Sequence, residues 1–125
     1  MSKRILIIDD DIITRKILTE SLKSTHREVI ASTNGKQGLE LYRINPFDLV
    51  ITDIIMPEMD GLETIQELRL ISPTLNIIAI SGGGNLIPGH YLGTAKKIGA
   101  NLIFTKPLDL QALADSVNEL LGEND

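Results

Sequence analysis

The chain has 125 residues, 42% hydrophobic and 23% charged, with no cysteine and a formal net charge of -5 from 12 basic and 17 acidic side chains. This length suits one domain with its own core, and the composition excludes a disordered chain. The lack of cysteine excludes disulfides, thiolate metal sites and cysteine nucleophiles, and the scattered Lys and Arg argue against non-specific nucleic-acid binding.

The first apolar run, Ile5-Leu6-Ile7-Ile8, follows a basic start and stops at Asp9-Asp10-Asp11. It is too short, and too acidic behind, for a signal peptide. No run approaches the ~20 apolar residues of a membrane helix. A helix is predicted over Ile12–Leu22, with Asp11 as its cap and Ile13, Ile17, Leu18 and Leu22 on one face. A weaker strand, Glu28-Val29-Ile30-Ala31, leads to a helix that carries Leu39, Leu41 and Tyr42. Leu49-Val50-Ile51 is the third strand, and Leu62, Ile65, Leu68 and Leu70 mark a helix stopped at Pro73. Ile77-Ile78-Ala79-Ile80 is the fourth strand. Four glycines and a proline between Ser81 and Gly89 delay the next helix to near His90, and it runs through Lys97. The fifth strand, Leu102-Ile103-Phe104, precedes a helix with a Leu110, Leu113, Val117, Leu120 and Leu121 stripe, capped by Asp109 and closed by Gly122.

The order is β-α-β-α-β-α-β-α-β-α. The four strong runs do not alternate with polar residues, as expected of parallel strands buried on both faces. Right-handed crossovers then give a doubly wound α/β fold of the (βα)5 kind, three layers around a five-stranded parallel sheet. With about four residues after the last helix, one domain spanning 1–125 and no output domain are expected.

Polar residues gather at the strand ends: Asp9-Asp10-Asp11, Thr52-Asp53, Ser81 and Thr105-Lys106-Pro107. A parallel sheet brings these ends to one edge, where open α/β sheets bind ligands. Three carboxylates meeting there without a cation would repel, and burial would raise their pKa values. Mg2+ removes that conflict, since it takes one or two carboxylates plus waters and phosphate oxygens. A lysine and a hydroxyl can neutralise and hydrogen-bond an incoming phosphoryl group. Together these groups suit phosphoryl transfer to a carboxylate.

Across nearly its full length the sequence resembles the receiver domains of two-component response regulators. The carriers are Ile5–Asp11, the D-x-x-M-P-x-M-D-G pattern of residues 53–61, Ser81, and Thr105-Lys106-Pro107. The resemblance implies a flavodoxin-like sheet of order 2-1-3-4-5 and a phosphorylation-dependent switch, not an enzyme with an outside substrate. Asp53 is then the phosphoacceptor. Asp10 holds Mg2+ directly, Asp9 holds it through water, and Asp53 and the Ile55 backbone carbonyl are further ligands. Ser81 and Lys106 contact the phosphoryl group, and the Lys106–Pro107 bond is usually cis. A sensor histidine kinase or phosphotransfer protein is the implied donor, with an unidentified downstream protein as target and a cytoplasmic location.

Other features read more plainly. Asp60-Gly61 suits a turn, and Met56 and Met59 suit packing. Gly82-Gly83-Gly84 fails the dinucleotide pattern at Ile87, and His26 and His90 lack ligand partners. Two rival readings are a phosphorylation-independent pseudo-receiver and a small aspartyl-phosphate phosphatase. The complete residue set argues against the first. Ile55, where the phosphatase needs a second acid, argues against the other. The sequence departs from the family pattern in its long Ser81–Gly99 segment and in Ile103, where an aromatic residue is usual. Strand alternation places Ile103 and Phe104 on opposite faces. Ile55 and Gly83, two positions after Asp53 and Ser81, offer no polar side chain to orient a hydrolytic water, so slow loss of phosphate is expected.

Overall fold

Strands form at the apolar runs and helices at the amphipathic stretches. The computed structural model of the chain describes residues 2–54, 61–81 and 95–123. Strand β1 (Lys3–Ile8) leads to α1 (Ile12–Leu22), β2 (Arg27–Ser32), α2 (Gly35–Ile44) and β3 (Leu49–Asp53). Helix α3 (Gly61–Ile71) and β4 (Asn76–Ser81) follow. A helical segment at residues 95–98 (α4) precedes β5 (Leu102–Thr105) and α5 (Leu110–Leu121). All pairings in the five-stranded sheet are parallel, in the order β2-β1-β3-β4-β5. This is the predicted doubly wound fold. The α4 segment agrees with a helix running through Lys97; its predicted start near His90 lies outside the described residues.

Strand alternation divides the core into two layers. Leu6, Ile8, Val50, Ile77 and Ala79 pack with Leu39, Tyr42, Ile65 and Leu68 of α2 and α3 and with Ala95 of α4. Ile5, Ile7, Leu49, Ile51, Ile78 and Ile80 pack with Leu18 and Leu22 of α1 and Leu113, Val117 and Leu121 of α5. Ile103 joins the first layer and Phe104 the second, on opposite faces as alternation requires.

The caps form as expected. Asp11 accepts from Ile13 N–H and Asp109 from Ala112 N–H, each satisfying a donor of the first helical turn. Gly122 ends α5 at φ 71°, a left-handed position that glycine adopts without a Cβ clash.

Four burial expectations are corrected, the first being Leu110, which the last helix's stripe included and which is 39% exposed at the start of α5. In α1 the buried stripe is Thr14, Leu18 and Leu22, while Ile13 is 64% and Ile17 43% exposed. Ile13 and Ile17 each sit one position, about 100° of helical turn, before a stripe residue. Leu70 is 80% exposed because it lies two positions after buried Leu68, roughly on the far side of α3. Finally, β5 is not buried on both faces: as an edge strand it leaves Leu102, Ile103 and Phe104 half-buried.

Candidate functional site

The register of the central strands sets the site. Ile8 of β1 pairs with Thr52 of β3, so the next residues, Asp9 and Asp53, emerge side by side at the C-terminal edge. Asp53 pairs with Ile80 of β4, and Ser81 with Thr105 of β5, which places Lys106 one step beyond the sheet. By parity, Asp9, Asp53 and Lys106 share the face of α1 and α5, and Ser81 takes the parity of Ile77 and Ala79.

The carboxylates converge. One oxygen from each of Asp9, Asp10 and Asp53 lies within 4.8 Å of the others, with Asp9 and Asp53 buried and Asp10 exposed. Asp9 is held at both oxygens: Oδ1 accepts from Asp11 N–H at 2.8 Å and Oδ2 from Lys106 Nζ at 3.3 Å. Lys106 Nζ also stands 3.8 Å from Asp53 Oδ2. The other oxygen, Asp53 Oδ1, is buried and has no hydrogen-bond partner among the described residues.

A buried acceptor without a donor is costly, and a second buried carboxylate beside it adds repulsion. Burial, then the neighbouring Asp9, push Asp53 up to about 6, while Lys106 pulls the other way. Burial also raises Asp9, against the lowering effects of Asp11 N–H and Lys106. Asp11 is different. The Thr14 hydroxyl, 2.7 Å from its Oδ2, and the Ile13 amide hold its carboxyl below the usual range, as suits a cap rather than a ligand.

The surrounding backbone is tightly fitted. Ile54 N–H donates to the Ile80 carbonyl at 2.9 Å and Lys106 N–H to the Ser81 carbonyl at 3.0 Å. Ser81 is thereby tied to Lys106 through the main chain, and its side chain is buried. A Cβ added at Gly61 would lie 2.1 Å from the Asp53 carbonyl oxygen, so the start of α3 can approach Asp53 this closely only as glycine. The Lys106–Pro107 bond is cis. Ile55, Met56, Met59 and Asp60, with Gly82-Gly83-Gly84, Ile87 and His90, lie outside the described residues. His26 is exposed.

The arrangement fits a hard divalent cation. It offers carboxylate oxygens within mutual reach, an excess of negative charge, and a buried oxygen lacking a partner. Beside the cluster, an apolar groove of about 310 Å³ is lined by Thr14, Ile17, Lys106, Pro107, Leu108 and Leu110. No helix among the described residues is long and apolar enough to cross a membrane.

Known proteins share this architecture. A family model described as the response regulator receiver domain matches residues 5–118. Chemotaxis protein CheY of Thermotoga maritima is 33% identical over 121 residues, 96% of this chain and 98% of that protein. Sporulation initiation phosphotransferase F of Bacillus subtilis is 30% identical over 121 residues, covering 97% of this chain and 95% of that protein. Transcriptional regulatory protein ZraR of Klebsiella oxytoca is 36% identical over 118 residues, 94% of this chain, but the chain spans only 26% of that protein. A CheY-like receiver domain protein from Methanospirillum hungatei superposes with a TM-score of 0.88 at 27% identity, covering 98% of this chain and 96% of that one. With the family match spanning residues 5–118 and relatives aligned over nearly their whole length, the chain belongs to the response regulator receiver domain family.

Proposed function

We propose that this receiver domain is a phosphorylation-dependent signalling switch. Asp53 accepts a phosphoryl group from the phosphohistidine of a sensor histidine kinase or phosphotransfer protein. The observation that carries this reading is the buried Asp53 carboxylate, with one oxygen unpartnered among the described residues and Lys106 3.8 Å from the other. An Asp53 oxygen attacks phosphorus, the O–P bond forms and the P–N bond breaks. The electron pair returns to the donor imidazole, which takes up a proton. Asp9, Asp10 and Asp53, with the Ile55 carbonyl, would hold Mg2+, which when bound supplies positive charge against the carboxylates and phosphoryl oxygens. Lys106 is poised to follow the transferred charge, and the Ser81 hydroxyl to donate to a phosphoryl oxygen.

Residues 1–125 act in this reading as one receiver unit in the cytoplasm. The unit signals through contact with a downstream protein or by passing the phosphoryl group on. The donor must reach the C-terminal edge of the sheet. Exposed Ile13 and Ile17 and the groove that Lys106 lines adjoin that edge, and they form the surface a protein donor would cover.

The test is acetyl phosphate with Mg2+, read by intact mass spectrometry. The parent chain gains one phosphoryl group and Asp53→Asn gains none. Equal labelling of both removes Asp53 as acceptor, and an unlabelled parent leaves the phosphorylation-independent reading.

A further inference from the structure

Arg15 lies one turn into α1. Its Nη1 donates to the backbone carbonyl of Asp9 at 2.8 Å, and its own N–H donates to the Asp11 carbonyl at 3.0 Å within the helix. The guanidinium reaches back from the helix and takes a neutral main-chain oxygen, that of a residue whose own carboxylate belongs to the acidic cluster.

This bond completes the anchoring of Asp9. Its N–H donates to the Ser32 carbonyl at 3.2 Å, its carboxylate is held by Asp11 N–H and Lys106, and its carbonyl is held by Arg15. A peptide unit is planar, so fixing the Asp9 carbonyl also fixes the plane that carries the Asp10 nitrogen and Cα. Asp10 is the exposed member of the cluster, and this plane limits the directions in which its side chain can leave the backbone.

We propose that Arg15 is a positioning residue for the cation site: by holding the Asp9 carbonyl it orients the Asp9–Asp10 peptide so that the Asp10 carboxylate faces Asp53. The inference rests on the reading of the acidic cluster as a divalent-cation site. It opposes what charge alone dictates. A guanidinium near a cation site repels the cation, so removing it would by Coulomb attraction and repulsion alone raise Mg2+ affinity. If Arg15 acts through the peptide, removing it lowers affinity.

The experiment is calorimetric titration of Mg2+ into the full chain and into Arg15→Gln, Arg15→Met and Arg15→Lys. Gln and Met are good helix formers at a half-exposed position, and either folded variant serves, with circular dichroism melts as the check. The expected result is an affinity loss of roughly 10-fold in the Gln and Met variants, as for other residues that orient metal ligands. Arg15→Lys keeps a charged donor and recovers most of that loss. Unchanged or tighter Mg2+ binding in folded Gln or Met variants overturns the inference while leaving the cation site standing, as does a Lys variant no better than Gln. Failure of the parent chain to bind Mg2+ removes the cation-site reading, and the inference with it.

Discussion

The ammonium of Lys106 stands 3.3 Å from Asp9 Oδ2, although 97 residues separate the two in the chain. It is also 3.8 Å from Asp53 Oδ2 and, among the described residues, is the cation opposing the desolvation of both carboxylates. Lys106→Met is therefore expected to push Asp53 above its value of about 6 and to lower metal-free stability by about 1–3 kcal/mol. Carboxyl carbon NMR titration reads the first effect and urea unfolding the second. An unmoved Asp53 midpoint would show that Lys106 does not act on it in solution.

Asp53 itself makes metal-free stability pH-dependent. Its ordinary value is 3.8 and its folded value about 6, so between them the folded chain keeps a proton that the unfolded chain has lost. Stability therefore falls as pH rises through that window, and the cost stays constant above it. Asp53→Asn removes the cost. With a chelator present, the variant is expected to be more stable than the parent by about 2 kcal/mol near pH 7.5, with little difference near pH 4. A gain that is the same at both pH values contradicts this account.

The first two acidic residues after β1 differ in what they are free to do. Both Asp9 oxygens already accept hydrogen bonds, whereas Asp10 is exposed. Asp10→Ala is expected to weaken Mg2+ binding more than Asp9→Ala does, in calorimetric titration. Asp9→Ala instead perturbs Lys106 and Asp53. A larger loss of Mg2+ affinity in Asp9→Ala would exchange the two roles.

Gly61 tests how tightly the Asp53 backbone is held. A methyl group there meets the Asp53 carbonyl oxygen at 2.1 Å and Ile54 Cα at 2.6 Å, both main-chain atoms that cannot swing aside. Gly61→Ala should lower stability by about 1–3 kcal/mol and shift the Asp53 amide resonance. Wild-type stability with an unshifted amide would mean that α3 does not press on Asp53 this closely.

A substitution on the exposed face of α1 tests the proposed donor surface apart from the chemistry. Ile17→Glu places charge in the groove beside Lys106 without touching the carboxylates. Phosphotransfer from a protein donor is expected to slow by roughly 10-fold or more, while labelling by acetyl phosphate stays at the parent rate. Equal slowing with both donors would place the effect in the site itself.

By itself the sequence determined the element order, the caps at Asp11, Asp109 and Gly122 and the set of strand-end residues, because these are local. Apolar runs, helical periodicity and the side chains of Asp11 and Asp109 act within a few residues of where they stand, and each was legible there. The convergence of Asp9, Asp53 and Lys106 followed once parallel strands were assumed, since a parallel sheet puts every C-terminal end on one edge. Only the tertiary structure decided that Thr14 rather than Ile13 faces the core, that Leu102, Ile103 and Phe104 are only half-buried, and that Arg15 reaches back to the Asp9 carbonyl. A helix's periodicity leaves its rotation against the sheet open by a residue, about 100°, and packing settles it. How deeply an apolar strand is buried depends on what packs over it, and a side-chain bond to a main-chain oxygen follows from the path of the folded backbone, which no residue type announces.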